Sequence, residues 1–364
     1  MASMFIAGSS PRAALPVLKK LRKNRYSFTV DLLGEFCVCE PEALEYQNRY
    51  LDAVDTFGST IPTWPEGSPI IAGHPGETSP VCVSVKLTAL YSQTNVLNFE
   101  RSVSILSDRL AEIARRAKKY GALMYVDAED SGNNEIIYEA FKRVFGSQEF
   151  IDMALPGIVI QAYAKNSEAR VLDMLDFAQR RGSPIAIRLV KGAYWDFERV
   201  ISSQNHWAFP LWSKKQSSDA HYERLSRLLL DNHGVCLPAF GSHNIRSLSH
   251  ACCYAEHIGL SPRDFEIQVL YGMAEPIAEA FMKRGYLVRM YVPLGELLPG
   301  MGYLVRRLLE NTSNESFLKH TFFDSDEVST LLREPHMQPE DAPPSTSWAT
   351  DKALRENPIT ASLG

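Results

Sequence analysis

No stretch of the 364-residue sequence reaches the ~18 uninterrupted apolar residues of a membrane-spanning helix. There is no C-x-x-C pair and no H-E-x-x-H spacing among the nine histidines, so no metal site is expected. The six cysteines, Cys37, Cys39, Cys82, Cys236, Cys252 and Cys253, are scattered, several of them inside apolar runs. They read as reduced thiols of a cytosolic-type protein and not as a disulfide framework. An excess of positive charge is also missing. With 38 basic and 43 acidic residues the formal charge is -5, which leaves no general electrostatic footprint for nucleic acid. No G-x-G-x-x-G follows any β-rich run, which speaks against a dinucleotide-binding doubly wound sheet. No acid precedes Asp31, whereas Arg12, Lys19, Lys20, Arg22, Lys23 and Arg25 are all basic. That bias fits an organellar presequence, but the spacing of Leu15, Val17, Leu18 and Leu21 favours a packing helix over Ala13–Lys23.

What is present is an ordinary globular composition, 45% hydrophobic and 22% charged. Short β-rich runs recur at Ser27–Leu33, Val81–Leu87, Ala122–Ala128, Gly157–Tyr163, Pro184–Val190, Gly234–Phe240, Phe265–Leu270 and Leu287–Val292. Most contain the continuous apolar stretch of a strand buried on both faces, as in parallel sheets. Amphipathic helical patterns separate them, such as "VLDMLDFAQRR" and "YERLSRLLLDNHG", the latter with Gly234 as its expected cap. Eight such units suit a (β/α)8 barrel, whose usual size is roughly 250 residues. A helical region over Pro41–Phe57 and a Pro/Gly-rich segment over Ile61–Pro80 make the first connection long. From Pro335 to Gly364 the chain is rich in Pro, Ser and Thr without apolar periodicity, which reads as a linker.

Polar residues gather where the strands should end. They are Asp31 with Glu35, Lys86, Asp127 with Glu129, Gln161, Arg188 with Lys191, His243 with Asn244, Gln268, and Tyr291. One buried polar residue is usually only a hydrogen-bonded spacer, and Lys86 with Asp127 could be a structural ion pair. A ring of them at the carboxyl ends of barrel strands suggests chemistry. The run "RLVKGAYWD" (Arg188–Asp196) combines a basic exit, a glycine that admits close backbone approach, and two aromatic side chains. With "FGSHN" (Phe240–Asn244) it suggests a flat, phosphate-bearing cofactor. Adjacent arginines, Arg306 and Arg307, stand in an amphipathic pattern, about 100° apart on a helix.

These motifs resemble one family. "VSVKL", "VDAED", "VIQAY", "RLVKGAYWD", "FGSHN", "EIQVLYGM", "RMYVP" and "YLVRRLLEN" follow the order found in proline dehydrogenases, in the form carried by the bacterial bifunctional PutA enzymes. The resemblance covers about residues 4–320 and includes "FIAGSSPRAALPVLKKLRKN", which favours the packing helix over a presequence. It implies a distorted (β/α)8 barrel with an N-terminal helical segment (1–26), a barrel (27–320) and a tail or linker (321–364). The implied cofactor is FAD, held non-covalently by Ala128, Gln161, Arg188, Lys191, Gly192, Ala193, Tyr194, Trp195, Ser213, Ser242, His243, Asn244, Gln268, Leu270, Arg307 and Glu310. The implied substrate shell is Lys86, Asp127, Tyr194, Leu270, Tyr291, Tyr303, Arg306 and Arg307, with both arginines on the carboxylate of proline. Glu35, in "DLLGE", resembles the partner of Arg306 in a gate. Tyr271 stands where many relatives have His, and Gly241 and Ser242 replace a frequent Ala and Thr.

The activity implied is oxidation of L-proline to Δ1-pyrroline-5-carboxylate, by hydride transfer from C5 to flavin N5. Electrons then pass to a membrane quinone, so a cytoplasmic enzyme, peripheral at the inner face of the membrane, is implied. Lys86, Asp127 and Arg188 are the expected catalytic side chains, and a pyrroline-5-carboxylate dehydrogenase module is the expected partner. Two rival readings are a Schiff-base aldolase using Lys86 or Lys191 and a proline-responsive DNA regulator. No DNA-binding module resembling that of some PutA enzymes is present in this sequence.

Overall fold

The computed structural model describes residues 5–34, 37–64, 79–296, 301–303, 305 and 332–341. Every one of the eight β-rich runs forms a strand. They are β1 (Ser27–Leu32), β2 (Cys82–Val85), β3 (Leu123–Val126), β4 (Gly157–Gln161), β5 (Ile185–Val190), β6 (Cys236–Gly241), β7 (Glu266–Leu270) and β8 (Leu287–Leu294). All pair in parallel and in chain order, and β8 returns to β1 through a register running from Ser27↔Arg289 to Leu32↔Leu294. The sheet is therefore a closed barrel, which leaves no unpaired edge. The strands are buried almost throughout, as expected when helices cover the outside and side chains fill the inside.

The helices are α1 (Pro11–Lys23), α2 (Glu40–Thr60), α3 (Phe99–Lys119), α4 (Ser131–Phe145), α5 (Ser167–Arg181), α6 (Trp195–Gln204), α7 (Lys215–Asp231), α8 (Ile245–His257) and α9 (Glu275–Lys283). Helix α1 starts two residues before the expected Ala13, because Pro11 suits a first turn and Ser10 Oγ accepts the Ala13 N–H (3.3 Å). Ala14, Leu18 and Leu21 bury its inner face. The expected glycine cap of α7 is displaced. That helix stops at Asp231 with Asn232 at its C-cap, and Asn232 Nδ2 donates to the Leu228 carbonyl (2.8 Å). Gly234 lies two residues further on, because the asparagine side chain already satisfies a terminal carbonyl.

Part of the stretch read as a tail lies against α7. Asp341 is buried, and its two carboxylate oxygens accept the backbone N–H groups of Ser213 (2.8 Å) and Lys214 (3.0 Å). Gln338 N–H donates to Ser217 Oγ (3.0 Å), and Arg246 Nη1 donates to the Leu332 carbonyl (3.0 Å). The N-cap position of α7 is Lys214, whose side chain provides no capping bond. A residue more than a hundred positions away thus satisfies the backbone N–H groups at and just before the start of α7. Asp341→Ala should cost about 1–2 kcal/mol, the usual worth of a cap. Urea unfolding reads this as a lower midpoint. An unchanged midpoint would remove the capping role.

Candidate active site

The polar residues stand towards the exits of the strands or directly after them: Asp31, Gln161, Arg188, Gln268 and Tyr291 lie within their strands. Lys86 follows β2 directly and Asp127 follows β3 directly. Ser84 lies two residues before Lys86, hence on the same inward face, and pairs with Asp31 across the β1–β2 register. The four charged groups Asp31, Lys86, Asp127 and Arg188 meet there, all buried.

Lys86 Nζ donates to Asp31 Oδ1 (2.5 Å) and to Asp127 Oδ2 (3.3 Å). Arg188 Nη1 donates to Asp127 Oδ1 and Ser84 Oγ, both at 3.0 Å. Ser84 Oγ and the Tyr291 hydroxyl each donate to Asp127 at 2.8 Å. The guanidinium is also sandwiched by aromatic rings, 4.0 Å from the Tyr125 centroid and 5.2 Å from that of Tyr291. Two cations thus face two carboxylates, which is the condition for burying such charge.

The fields inside this cluster are unequal. Burial alone would depress the Lys86 ammonium, but Asp31, Tyr291 and Asp127 overcome it and hold its pKa well above the ordinary value. Burial would likewise raise Asp127, yet Lys86 and Arg188 with two hydroxyl donors keep it below the usual carboxylate range. Asp31 moves the other way. Burial outweighs the attraction of Lys86, Asp127 adds repulsion, and its pKa is raised to about 6.

Lys86, Asp127 and Arg188 floor a cavity of about 260 Å³ at the strand exits. From β3, β4 and β5 its wall takes Asp127, Ala128, Gln161 and Arg188, followed by Lys191, Gly192, Ala193 and Tyr194. From β6 to β8 it takes Ser242, His243, Gln268, Leu270 and Tyr291, and Tyr303 joins them with Lys86. Several side chains are held by neighbours. His243 Nε2 accepts the Leu270 N–H (3.0 Å), tying two exits together. Gln161 donates to the Glu129 carbonyl (3.0 Å) and accepts from Asn134 (3.0 Å). Gly192 has φ +128°, and a Cβ there would stand 2.4 Å from the Tyr163 ring, so only glycine fits.

Three other candidates stand beside the wall. Trp195 begins α6 and donates its Nε1–H to the Trp212 carbonyl (3.0 Å). Asn244 caps α8 by accepting the Ser247 N–H (3.2 Å). Ser213 gives its backbone N–H to Asp341 (2.8 Å). Glu35, Arg306, Arg307 and Glu310 lie outside the described residues.

The family model described as proline dehydrogenase matches residues 14–320. The chain belongs to the proline dehydrogenase family. It is 30% identical over 342 residues to the bifunctional protein PutA of Escherichia coli K12, which covers 92% of this chain and 25% of that protein. It is 27% identical over 317 residues to proline dehydrogenase 2 of Bacillus subtilis 168, with 87% of this chain and 88% of that protein covered. The crystal structure of Bdellovibrio bacteriovorus PutA inactivated by N-propargylglycine superposes with a TM-score of 0.89. Identity to it is 45%, over 92% of this chain and 35% of that one. The chain spans about a quarter of the length of the PutA relative from Escherichia coli. No helix among the described residues is long and apolar enough to cross a membrane.

In this proline dehydrogenase barrel, sequence reasoning missed Ser84 and Asp219 and gave Asp31 no partner. Ser84 could have been found from its period-2 spacing to Lys86. Asp31 was noticed as polar but not as the partner of Lys86. Asp219, which pairs with both Lys191 and Lys215, sits on α7 with nothing nearby in sequence to mark it.

Proposed function

We propose that this barrel oxidises L-proline to Δ1-pyrroline-5-carboxylate with FAD, the electrons leaving for a membrane quinone. Bound FAD would supply the hydride acceptor that the side chains lack. The residues present fit such a group. Arg188 keeps two buried donors, Nε and Nη2, without a hydrogen-bond partner in a wall of the cavity, where an acceptor-bearing ring would satisfy them. This is the observation that most favours the reading beyond family membership. Lys191 would offer a cation to the cofactor, backed by Asp219, and the Gly192 turn would admit a close backbone approach. Gln161, Ser242, His243 and Gln268 would supply the remaining polar contacts.

The side chains would act by position and field. Lys86, fixed as an ammonium, would meet the substrate carboxylate together with Arg306 and Arg307, while Glu35 would latch Arg306. Leu270, Tyr194, Tyr291 and Tyr303 would wall the proline ring and exclude water. Asp127 would hold Lys86 and Arg188 at fixed separation, which aligns donor and acceptor atoms and keeps positive charge at the reacting centre. A Schiff-base role for Lys86 is disfavoured, because a lysine held charged is a poor nucleophile. The test is the visible spectrum of the purified protein before and after L-proline under anaerobic conditions. A yellow protein that bleaches supports the reading. A colourless protein, or a yellow one indifferent to proline, would end it.

A further inference from the structure

Oxidation of an amine to a C=N bond needs the nitrogen lone pair, and proline carries an ammonium at neutral pH, its pKa being close to that of ordinary amines at about 10. One proton must therefore leave the nitrogen. The groups that could receive it differ sharply. Lys86 is already charged. Asp127 is saturated, since Ser84 and Arg188 donate to one oxygen and Tyr291 and Lys86 to the other. Asp31 is fully buried at 0% exposure, and only its Oδ1 is engaged, by Lys86 Nζ at 2.5 Å. Its Oδ2 is buried without a hydrogen-bond partner. The Tyr291 hydroxyl is also close to Asp31, but its single proton is given to Asp127.

Asp31 does not line the cavity; Lys86 stands between the two. We propose that Asp31 is the terminal acceptor of the substrate's amine proton, reached through the Lys86 ammonium, an inference that rests on the proline-oxidising function above. A Lys86 N–H bond first breaks as an Asp31 O–H bond forms, which leaves Lys86 a neutral amine with a lone pair; a substrate N–H bond then breaks as a new Lys86 N–H bond forms. The electron pair stays on the substrate nitrogen, and Lys86 is neutral only between the two transfers. The groups facing Asp31 are Lys86 from the β2 exit, Asp127 from the β3 exit, Tyr291 from β8, and Tyr50 from α2, whose hydroxyl accepts the Lys86 backbone N–H (3.1 Å). Arg188 is drawn to Asp127 instead. Burial and the Asp127 charge raise Asp31 to about 6, which suits a base at neutral pH better than an ordinary carboxylate.

The experiment is anaerobic stopped-flow reduction of the FAD-loaded enzyme by L-proline from pH 5 to 10, for wild type and Asp31→Asn. The wild-type rate should be level above about pH 7 and fall below about pH 6. Asp31→Asn should be slower by ~10³-fold at pH 7, within the range for a lost general base. Its rate should climb about tenfold per pH unit until it meets the wild type near pH 10, where solution delivers the free amine. Binding of tetrahydrofuran-2-carboxylate, which has no nitrogen to deprotonate, should not weaken, because neutralising Asp31 leaves more positive charge beside Lys86. A deficit equal at every pH, no deficit, or weakened binding of that analogue in parallel with the rate would overturn the relay. If Asp31→Asn does not fold, the wild-type profile decides alone, and a rate constant from pH 5 to 8 overturns it. A wild-type enzyme that proline reduces at no pH would instead sink the function itself, and the relay with it.

Discussion

Asp127→Ala is expected to abolish flavin reduction by proline and to destabilise the fold by about 3–5 kcal/mol, the usual cost of stripping one partner from a buried ion pair. The size follows from how much one carboxylate holds. Asp127 accepts from Lys86, Arg188, Ser84 and Tyr291 at distances between 2.8 and 3.3 Å. Its loss leaves Lys86 and Arg188 buried against Asp31 alone, an excess of one positive charge in the barrel mouth. Asp127→Asn keeps the shape and two acceptor lone pairs, so it should retain more stability while still losing most of the rate. Urea midpoints and proline-dependent bleaching, measured on both variants, separate the two effects. An alanine variant as stable as wild type would mean that water already screens the cluster.

Arg289→Met should cost a similar 3–5 kcal/mol without harming the chemistry. Arg289 Nε and Nη2 donate to the two oxygens of Glu266 at 2.8 and 2.7 Å, and Nη1 donates to the Phe28 carbonyl (3.1 Å). Both side chains are almost fully buried, at 2% and 1% exposure. Neither lines the cavity. The pair bridges β7, β8 and β1 inside the barrel, and removing only the guanidinium leaves a buried carboxylate stripped of two charge-assisted bonds. Combining Arg289→Met with Glu266→Leu should recover part of the loss, because two apolar groups need no partner, while Gln268 Nε2 loses its acceptor on Glu266 (3.0 Å). Denaturant midpoints of the two single variants and the double close this cycle. A double variant as unstable as either single would show that the damage is packing and not unpaired charge.

How much of this was legible beforehand depends on the range over which each feature is encoded. The strands were readable because each is buried on both faces, which writes a continuous apolar run into a few adjacent residues. Some ends fall short of those runs, as at β2, where Val81–Leu87 yields Cys82–Val85, while β6 and β8 run past them to Gly241 and Leu294. The polar ring was readable for the same local reason, since Lys86 and Asp127 each follow an apolar run directly. The α7 cap was misplaced because Gly234 and Asn232 compete within two residues, and only the side-chain bond to Leu228 decides between them.

The sequence alone thus determined the eight-fold alternation, the absence of a dinucleotide fingerprint, the ordered motifs of the proline dehydrogenase family and the ring of polar residues. Pairing was decided by the tertiary structure. Lys86 meets Asp31 from 55 residues away and Asp127 from 41, Lys191 meets Asp219 from 28, and Asp341 reaches Ser213 from 128. These separations carry no periodic signal, because barrel closure and strand register bring the groups together only after the chain has folded. The opposite pKa directions of Asp31 and Asp127 arise the same way: two chemically identical side chains differ only in which cations and hydroxyls stand near them in space.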